Sequence, residues 1–217
     1  MRAALRPLTG VTPAFAGVTP HGARLPSLDE PSPRPDLPVM ADLLSLAREL
    51  SDEGGTGDLP VDGWNPERCG AIDLVIKADG TWVHEGTPIT RASLVKLFAR
   101  VLRKDDDGYV LVTPAEKLDV TVEDAPFLAV DYERTEDGYA FRTNVGDVVT
   151  AGPDHPLEMR GSDAVGVRVP YVRVRGGLDA RLARAAYYRL VEEADVADNG
   201  TLSIRSGGER FVLGRSA

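Results

Sequence analysis

The chain has 217 residues, 42% hydrophobic and 27% charged, an ordinary globular composition with room for one large domain or two small ones. A net charge of −9 argues against a general nucleic-acid-coating role. The single Cys69 excludes an intrachain disulfide, and no apolar run approaches the roughly 20 residues that span a bilayer, so a cytoplasmic protein without membrane attachment is expected.

Residues 1–39 are rich in Pro, Thr, Gly and Ala and carry no sustained period, which predicts a disordered tail. Arg2 and Arg6 ahead of an Ala-Phe-Ala stretch raise a signal peptide, but Pro7, Thr9, Gly10, Thr12 and Pro13 interrupt the apolar core one requires. At Met40 the pattern changes. Leu43, Leu44, Leu46, Ala47 and Leu50 fall on one helical stripe, and a Gly-rich loop ends it by residue 57. Met40 therefore competes with Met1 as the start.

The first α/β unit is expected over residues 58–117. Asp62-Gly63 and Asn65-Pro66 favour turns. Ile72, Leu74 and Ile76 alternate with polar residues as a strand, and Asp79-Gly80 turns it back into a second strand carrying Trp82 and His84 on one side. Thr90 is the expected N-cap of a helix over 91–104, with Leu94, Val95, Leu97, Phe98, Val101 and Leu102 as its apolar stripe. Arg103 and Lys104 suit the negative end of that helix dipole. Arg91 stands at the positive end with no local reason to be there, which makes it a site candidate. A strand over 109–112 then runs into Pro114. Glu116-Lys117 beyond it is either an acid–base pair or an ion pair that orients the turn.

The second unit is expected over residues 118–217. Short strands over 118–124, 127–136, 138–144 and 145–151 suggest a curved antiparallel sheet, with a hairpin turn at residues 135–138. Another strand holds Arg173 and Arg175 on one face, two guanidiniums spaced as an anion clamp. Gly176-Gly177 would let a ligand approach the start of a helix over 178–194, with Asp179 near its N-terminus. A final hairpin turns at Ser206-Gly207-Gly208-Glu209. Sliding the first unit by 90 positions sets Gly86 on Gly176, Arg91 on Arg181, Phe98 on Tyr188 and Val101 on Val191. In both places a strand, a Gly-containing turn, a helix and further strands follow in order, which predicts an internal strand–helix–strand duplication.

Several motifs in order carry a family resemblance: Asn65-Pro66, the run Gly70 to Asp73, Asp79 to Trp82, Glu85 to Arg91, Leu94 to Phe98, Leu111 to Lys117, Glu123 to Phe127, and Thr143-Asn144. Over roughly residues 58–195 the chain resembles the bacterial family known as domain of unknown function 1285. The resemblance implies a two-domain α+β protein with an internal duplication, whose second domain is similar to pleckstrin-homology folds. It also implies a part in signal transduction through a nucleotide-like ligand at the domain interface. It brings no catalytic residue with it.

Charge is unevenly spread. Residues 105–137 hold 11 acids against Lys117 and Arg134, whereas residues 160–189 hold seven Arg against Asp163 and Asp179. Either the Arg-rich stretch packs on the acidic one, or it holds a phosphate- or carboxylate-bearing ligand. Walker, dinucleotide-binding and nucleophile-elbow motifs are missing from the sequence, and one Cys with three His cannot make a Cys- or His-rich zinc site. The leading expectation is a non-enzymatic sensor or interaction protein, with no resident cofactor or metal. An anionic, nucleotide-like small molecule would lie between the two units, against Trp82, His84, Arg91, Arg142, Asn144, Arg173 and Arg175, with a protein partner downstream in signalling. The alternatives are a small-molecule enzyme using Glu116 and Lys117 with Arg142, and a protein–protein adaptor without a small ligand.

Overall fold

A computed structural model describes residues 59–161 and 168–216, which belong to one compact body. The expectations for residues 1–39 and 40–57 lie outside the described residues.

The first unit is a six-stranded sheet with one helix. Strand β1 (Arg68–Ile76) meanders antiparallel through β2 (Trp82–His84) and β3 (Thr87–Pro88). Helix α1 (Ala92–Arg100) follows, then a second meander of β4 (Leu102–Asp105), β5 (Gly108–Val112) and β6 (Lys117–Val122). β6 returns to lie parallel beside β1, giving the order β3-β2-β1-β6-β5-β4. Leu74 and Ile76 of the alternating first strand are buried, as the period predicts.

The second unit repeats this plan. β7 (Phe127–Thr135), β8 (Gly138–Thr143) and β9 (Val148–Thr150) form one meander; β10 (Leu157–Arg160), β11 (Val169–Arg175) and β12 (Leu178–Leu182) form the other. β12 lies parallel to β7, and the order is β9-β8-β7-β12-β11-β10. The match extends to side chains. In the first unit Leu102, Leu111, Leu118 and Gly70 stand in register across four strands; in the second, Leu157, Val172, Ala180 and Phe127 do. All of these except Gly70 are buried.

The protein is thus α+β, with two small duplicated domains. The hairpin–helix similarity in the sequence is also present. Glu85-Gly86 and Gly176-Gly177 each make a two-residue turn with both φ angles positive (49° and 73°; 45° and 80°), ahead of a helix. The two helices nevertheless hold different places in the repeat. α1 connects the two meanders of the first sheet. In the second sheet that connection is a short turn, and helix α2 (Arg184–Glu192) comes after the last strand. A third sheet follows, β13 (Asp195–Val196), β14 (Thr201–Ser206) and β15 (Glu209–Arg215), with Gly207-Gly208 as the expected hairpin turn.

Four expected boundaries are corrected. Residues 117 to 122 pair with both β5 and β1, so the first unit ends after Val122 rather than at residue 117. The first helix stops at Arg100, and Leu102 to Asp105 form an edge strand. Its N-cap is Arg91 rather than Thr90, with no side-chain cap. The second helix begins at Arg184, because residues 178–182 are strand β12. In both misread stretches an alternating strand abuts a helix, and the joined pattern mimics one longer helical stripe.

Candidate functional site

Trp82 and Phe98 pack against each other in the first core, rings stacked 6.5 Å apart. Trp82 is 1% exposed, so it is a core residue and cannot stack on a ligand base. Its Nε1 is the buried side-chain polar atom left without a hydrogen-bond partner among the described residues. His84 lies opposite Leu74, half-buried in β2. Arg91 is exposed at the N-terminal end of α1.

Of the two alternatives for Glu116 and Lys117, neither the acid–base pair nor the ion pair between them is found among the described residues. The amides of Ala115 and Glu116 donate to Thr113 Oγ1, and Thr113 N donates to Glu116 O, so this segment is a self-capped turn. Lys117 Nζ instead reaches Asp105 Oδ2 at 3.1 Å. Asp105 also takes Arg103 Nε at 2.6 Å. The Arg103 hydrogen bond, seconded by Lys117, holds the Asp105 carboxyl below the usual carboxylate range. Arg103 itself is 8% exposed and donates to the Val61 and Trp64 carbonyls, pinning the 59–64 segment to β4. A helix-dipole role for it is excluded, since it lies in a strand.

The Arg-rich stretch is largely paired within the chain, and partly with the acidic stretch. Arg181 meets Asp124 at 3.1 Å, and Asp124 also accepts from the Tyr171 hydroxyl at 2.7 Å. Burial and that hydrogen bond push the Tyr171 hydroxyl up to about 12. Arg142 meets Asp131 at 3.1 Å, and Arg189 takes the other oxygen of the same carboxylate. The Arg189 hydrogen bond is the main cause of a lowered Asp131 pKa.

Arg173 and Arg175 do not form the expected clamp. Arg173 Nε goes to buried Asp179 at 2.5 Å, which Arg160 also reaches at 2.6 Å. Asp179 is therefore a strand residue buried between two guanidiniums, not a helix start. The register of β11 against β12 shifts between Arg173 and Arg175, and Arg175 is carried away to different partners. Its Nη1 reaches Asp147 Oδ2 at 2.8 Å, its Nη2 donates to Ala99 O of α1 at 2.6 Å, and its guanidinium lies 5.1 Å from the Phe127 ring centroid. Arg175 thus belongs to the second unit and holds the C-terminal end of the helix of the first. Arg91 is eight residues from Ala99, roughly 12 Å along the helix axis, so it stands apart from this junction. Asn144 forms a second bridge: its Oδ1 accepts from Leu128 N and its Nδ2 donates to Gly80 O, at 3.0 and 3.3 Å.

Beside Arg175 a cleft of about 170 Å³ opens between the units. Arg100, Arg103 and Arg175 line it, against the carboxylates of Asp62 and Asp147, with Leu59, Val61, Leu102 and Leu178 as apolar wall. Gly176 forms part of the rim. A shallower groove of about 650 Å³ adjoins it along β4, sharing Asp62 and Arg103 and adding Arg68, Lys104, Asp105 and Lys117. Of the residues expected to form a site, Arg175 lines the cleft and Lys117 the groove. The sequence does not single out Arg100 and Arg103 as site residues, because a helix over 91–104 leaves Arg100 off its apolar stripe and gives Arg103 to its dipole. No group of three or more His, Cys, Asp or Glu among the described residues is arranged to hold a metal, and none of their helices is long and apolar enough to cross a membrane.

Comparison with known proteins gives a consistent family. Residues 59–125 match the model for the N-terminal domain of the domain of unknown function DUF1285, and residues 126–213 match that for its C-terminal domain. These meet just after β6, where the first sheet ends. A crystal structure of a DUF1285 family protein from Silicibacter pomeroyi DSS-3 is 41% identical, with a TM-score of 0.72 over 80% of this chain and 94% of that one. A DUF1285 family protein from Shewanella baltica OS155 is 36% identical over 57% of this chain and 94% of that one, with a TM-score of 0.47. No curated protein matches the chain. With both domain models in order along the duplicated sheets, and a 41% identical relative spanning four-fifths of its length, the chain belongs to the bacterial DUF1285 family.

Proposed function

We propose that this protein is a ligand-sensing module that takes an anionic, nucleotide-like small molecule at the junction of its two units, in bacterial signal transduction. The observation that carries the reading is the cleft between the units. In a chain of net charge −9, Arg100, Arg103 and Arg175 line it beside an apolar wall, with Arg103 held by Asp105 and Arg175 by Asp147. Arginine suits such a position because its planar fork matches phosphate and carboxylate oxygens. A cleft of about 170 Å³ admits an anionic head but not a whole nucleotide, since drug-sized ligands occupy roughly 300–1,000 Å³. The remainder of the ligand would extend over the adjoining groove, where Lys104 and the Asp105 carboxylate offer polar contacts. Because the cleft is walled by both units, occupancy changes the contacts that join them, which is what a sensor needs.

The test is calorimetric titration with inorganic phosphate, pyrophosphate and a panel of nucleoside mono-, di- and triphosphates and cyclic nucleotides. Saturable, salt-sensitive binding by at least one of them is expected, weakened about tenfold or more by Arg100→Gln. No binding across the panel, or binding indifferent to Arg100→Gln, would sink the reading.

A further inference from the structure

We infer that the outer edge of β9 is a docking site for an extended segment of a partner protein, which adds as a further strand and carries a basic residue two positions from an apolar one. The inference is independent of the anion-binding reading of the cleft.

The edge is open. Ala151 N donates to Tyr139 O and Thr143 N donates to Asp147 O, so these are hydrogen-bonded pairs at either end of the β8–β9 ladder. Alternation makes Phe141 and Val149 the hydrogen-bonded pair between them. The N–H and C=O groups of Val148 and Thr150 therefore point away from β8, and none of them has a partner among the described residues. Val148 is 62% exposed. The other edges are guarded. β3 ends in Pro88, which has no N–H to offer. Lys104 of β4 lies against Gly177 of the second unit. The Arg168 guanidinium donates to Met159 O of β10, β10 and β15 lie side by side, and β13 has only two residues. An exposed edge with neither a proline nor a cover is a template for another strand.

The face beside this edge specifies the occupant. Val148 stands opposite Arg142 and Thr150 opposite Ala140; Arg142 and Ala140 in turn stand opposite Asp131 and Glu133 of β7. All six side chains share the outer face of the sheet. Because Ala140 is small, a depression of about 170 Å³ lies over it, walled by Asp131, Glu133, Arg142 and Val148. Asp131 is taken by Arg142 and Arg189. The Glu133 carboxylate has no partner among the described residues, and Glu136 and Asp137 extend the negative charge into the adjoining turn. A strand added at β9 sets alternate side chains on this face, one beside Val148 and the next beside Thr150. An apolar side chain covers Val148. A lysine or arginine at the next position crosses Thr150 into the depression, where its cation meets Glu133. An acidic residue there would face Glu133 with like charge. The net charge of −9 favours a basic segment at longer range as well.

The probe is a capped synthetic peptide, Ser-Thr-Val-Thr-Lys-Thr-Ser, with the same peptide carrying Glu in place of Lys as its control. Titration into the full chain, followed by amide NMR, should give saturable shifts at Val148 and Thr150, with the Lys peptide bound about tenfold more tightly than the Glu peptide. Glu133→Gln should shrink that ratio to about twofold. Thr150→Pro removes an outward N–H that the fold does not use and should weaken both peptides about tenfold or more. Val148→Lys leaves every internal hydrogen bond in place and should weaken the Lys peptide by a similar factor, which keeps the test intact if thermal melts show the proline variant to be unfolded. Absence of saturable shifts at β9 in the natural chain overturns the site. Binding that survives the folded edge variants puts the peptide elsewhere and overturns it as well. Equal affinity for the two peptides overturns the basic occupant.

Discussion

The two units share one sheet plan but differ in what covers the sheet. In the first, α1 is inserted between the meanders and sends Leu97, Phe98 and Ala99 into the core over Trp82. In the second, the meanders are joined by a short turn, and the cover comes afterwards from α2 and the third sheet. Ala186 and Leu190 of α2 are buried, Tyr187 donates to Leu213 O, and Ser206 takes Tyr139 N while donating to Ala151 O. The corresponding turns also diverge. The β5–β6 turn closes on itself through Thr113, whereas Arg175, at the start of the β11–β12 turn, reaches into the first unit. A duplicated framework thus specifies strand order and one buried row, while the cover of each sheet and the contact through Arg175 lie in the parts that are not duplicated.

Removing the first unit's cover should have the largest effect. Trp82→Ala leaves a cavity under α1 and should cost about 4 kcal/mol, measured by chemical denaturation. Loss of hydrogen-exchange protection first in β1, β2 and α1 would locate the damage in that unit. The parallel break in the second unit is Gly138→Ala. A Cβ there would lie 2.2 Å from Ser206 Oγ and 2.6 Å from Ser206 Cα, at a φ of +132°, so the third sheet cannot dock as it does. A loss of about 3 kcal/mol is expected, with exchange rising in β14 and β15 rather than α1. If both substitutions raise exchange uniformly, the units do not have separate covers in any energetic sense.

Arg175→Met keeps an aliphatic stem over Phe127 but removes the charged donors to Asp147 and Ala99. A loss of about 2 kcal/mol is expected, with faster exchange at the end of α1, because that helix end is held from the other unit. An unchanged α1 would show that the junction is a contact without coupling.

The smallest effect is a pH dependence belonging to the first unit. Asp105 has its folded-state pKa lowered by Arg103 and Lys117, below an ordinary value of 3.8. Its stabilisation is therefore complete above that value and is lost as pH falls through the depressed folded-state value. Thermal melts between pH 7 and pH 2 should show this acid-side loss reduced in Asp105→Asn relative to the natural chain.

Much of the fold was legible from residue patterns. The alternation of Ile72, Leu74 and Ile76, the turns at Asp79-Gly80, at residues 136–137 and at Gly207-Gly208, and both helices follow from local chemistry. The errors fell where a strand and a helix adjoin. Val101 to Lys104 extend the apolar and basic pattern of α1, yet Leu102 pairs with Leu111 and Arg103 with Val110. Pairing partners distant in sequence decided those residues, and periodicity contains no record of them. The same holds for the site. Arg173 and Arg175 stand two apart in one strand, but a register shift and the positions of Asp179 and Asp147 separate their roles.

By itself, then, the sequence determined the local elements, their order along the chain and an excess of arginine in its second half. These depend on neighbours within a few residues or on composition. Its 90-residue alignment, by contrast, pairs β2, β3 and α1 with β11, β12 and α2, which the sheet order does not make equivalent. Tertiary structure decided which arginines are spent on internal carboxylates, that Trp82 is core, and that Arg100, Arg103 and Arg175 border one cleft. Those outcomes depend on β12 lying beside β7 and on the second unit reaching the end of α1. Such contacts join residues as far apart as Ala99 and Arg175, and only the folded chain brings them together.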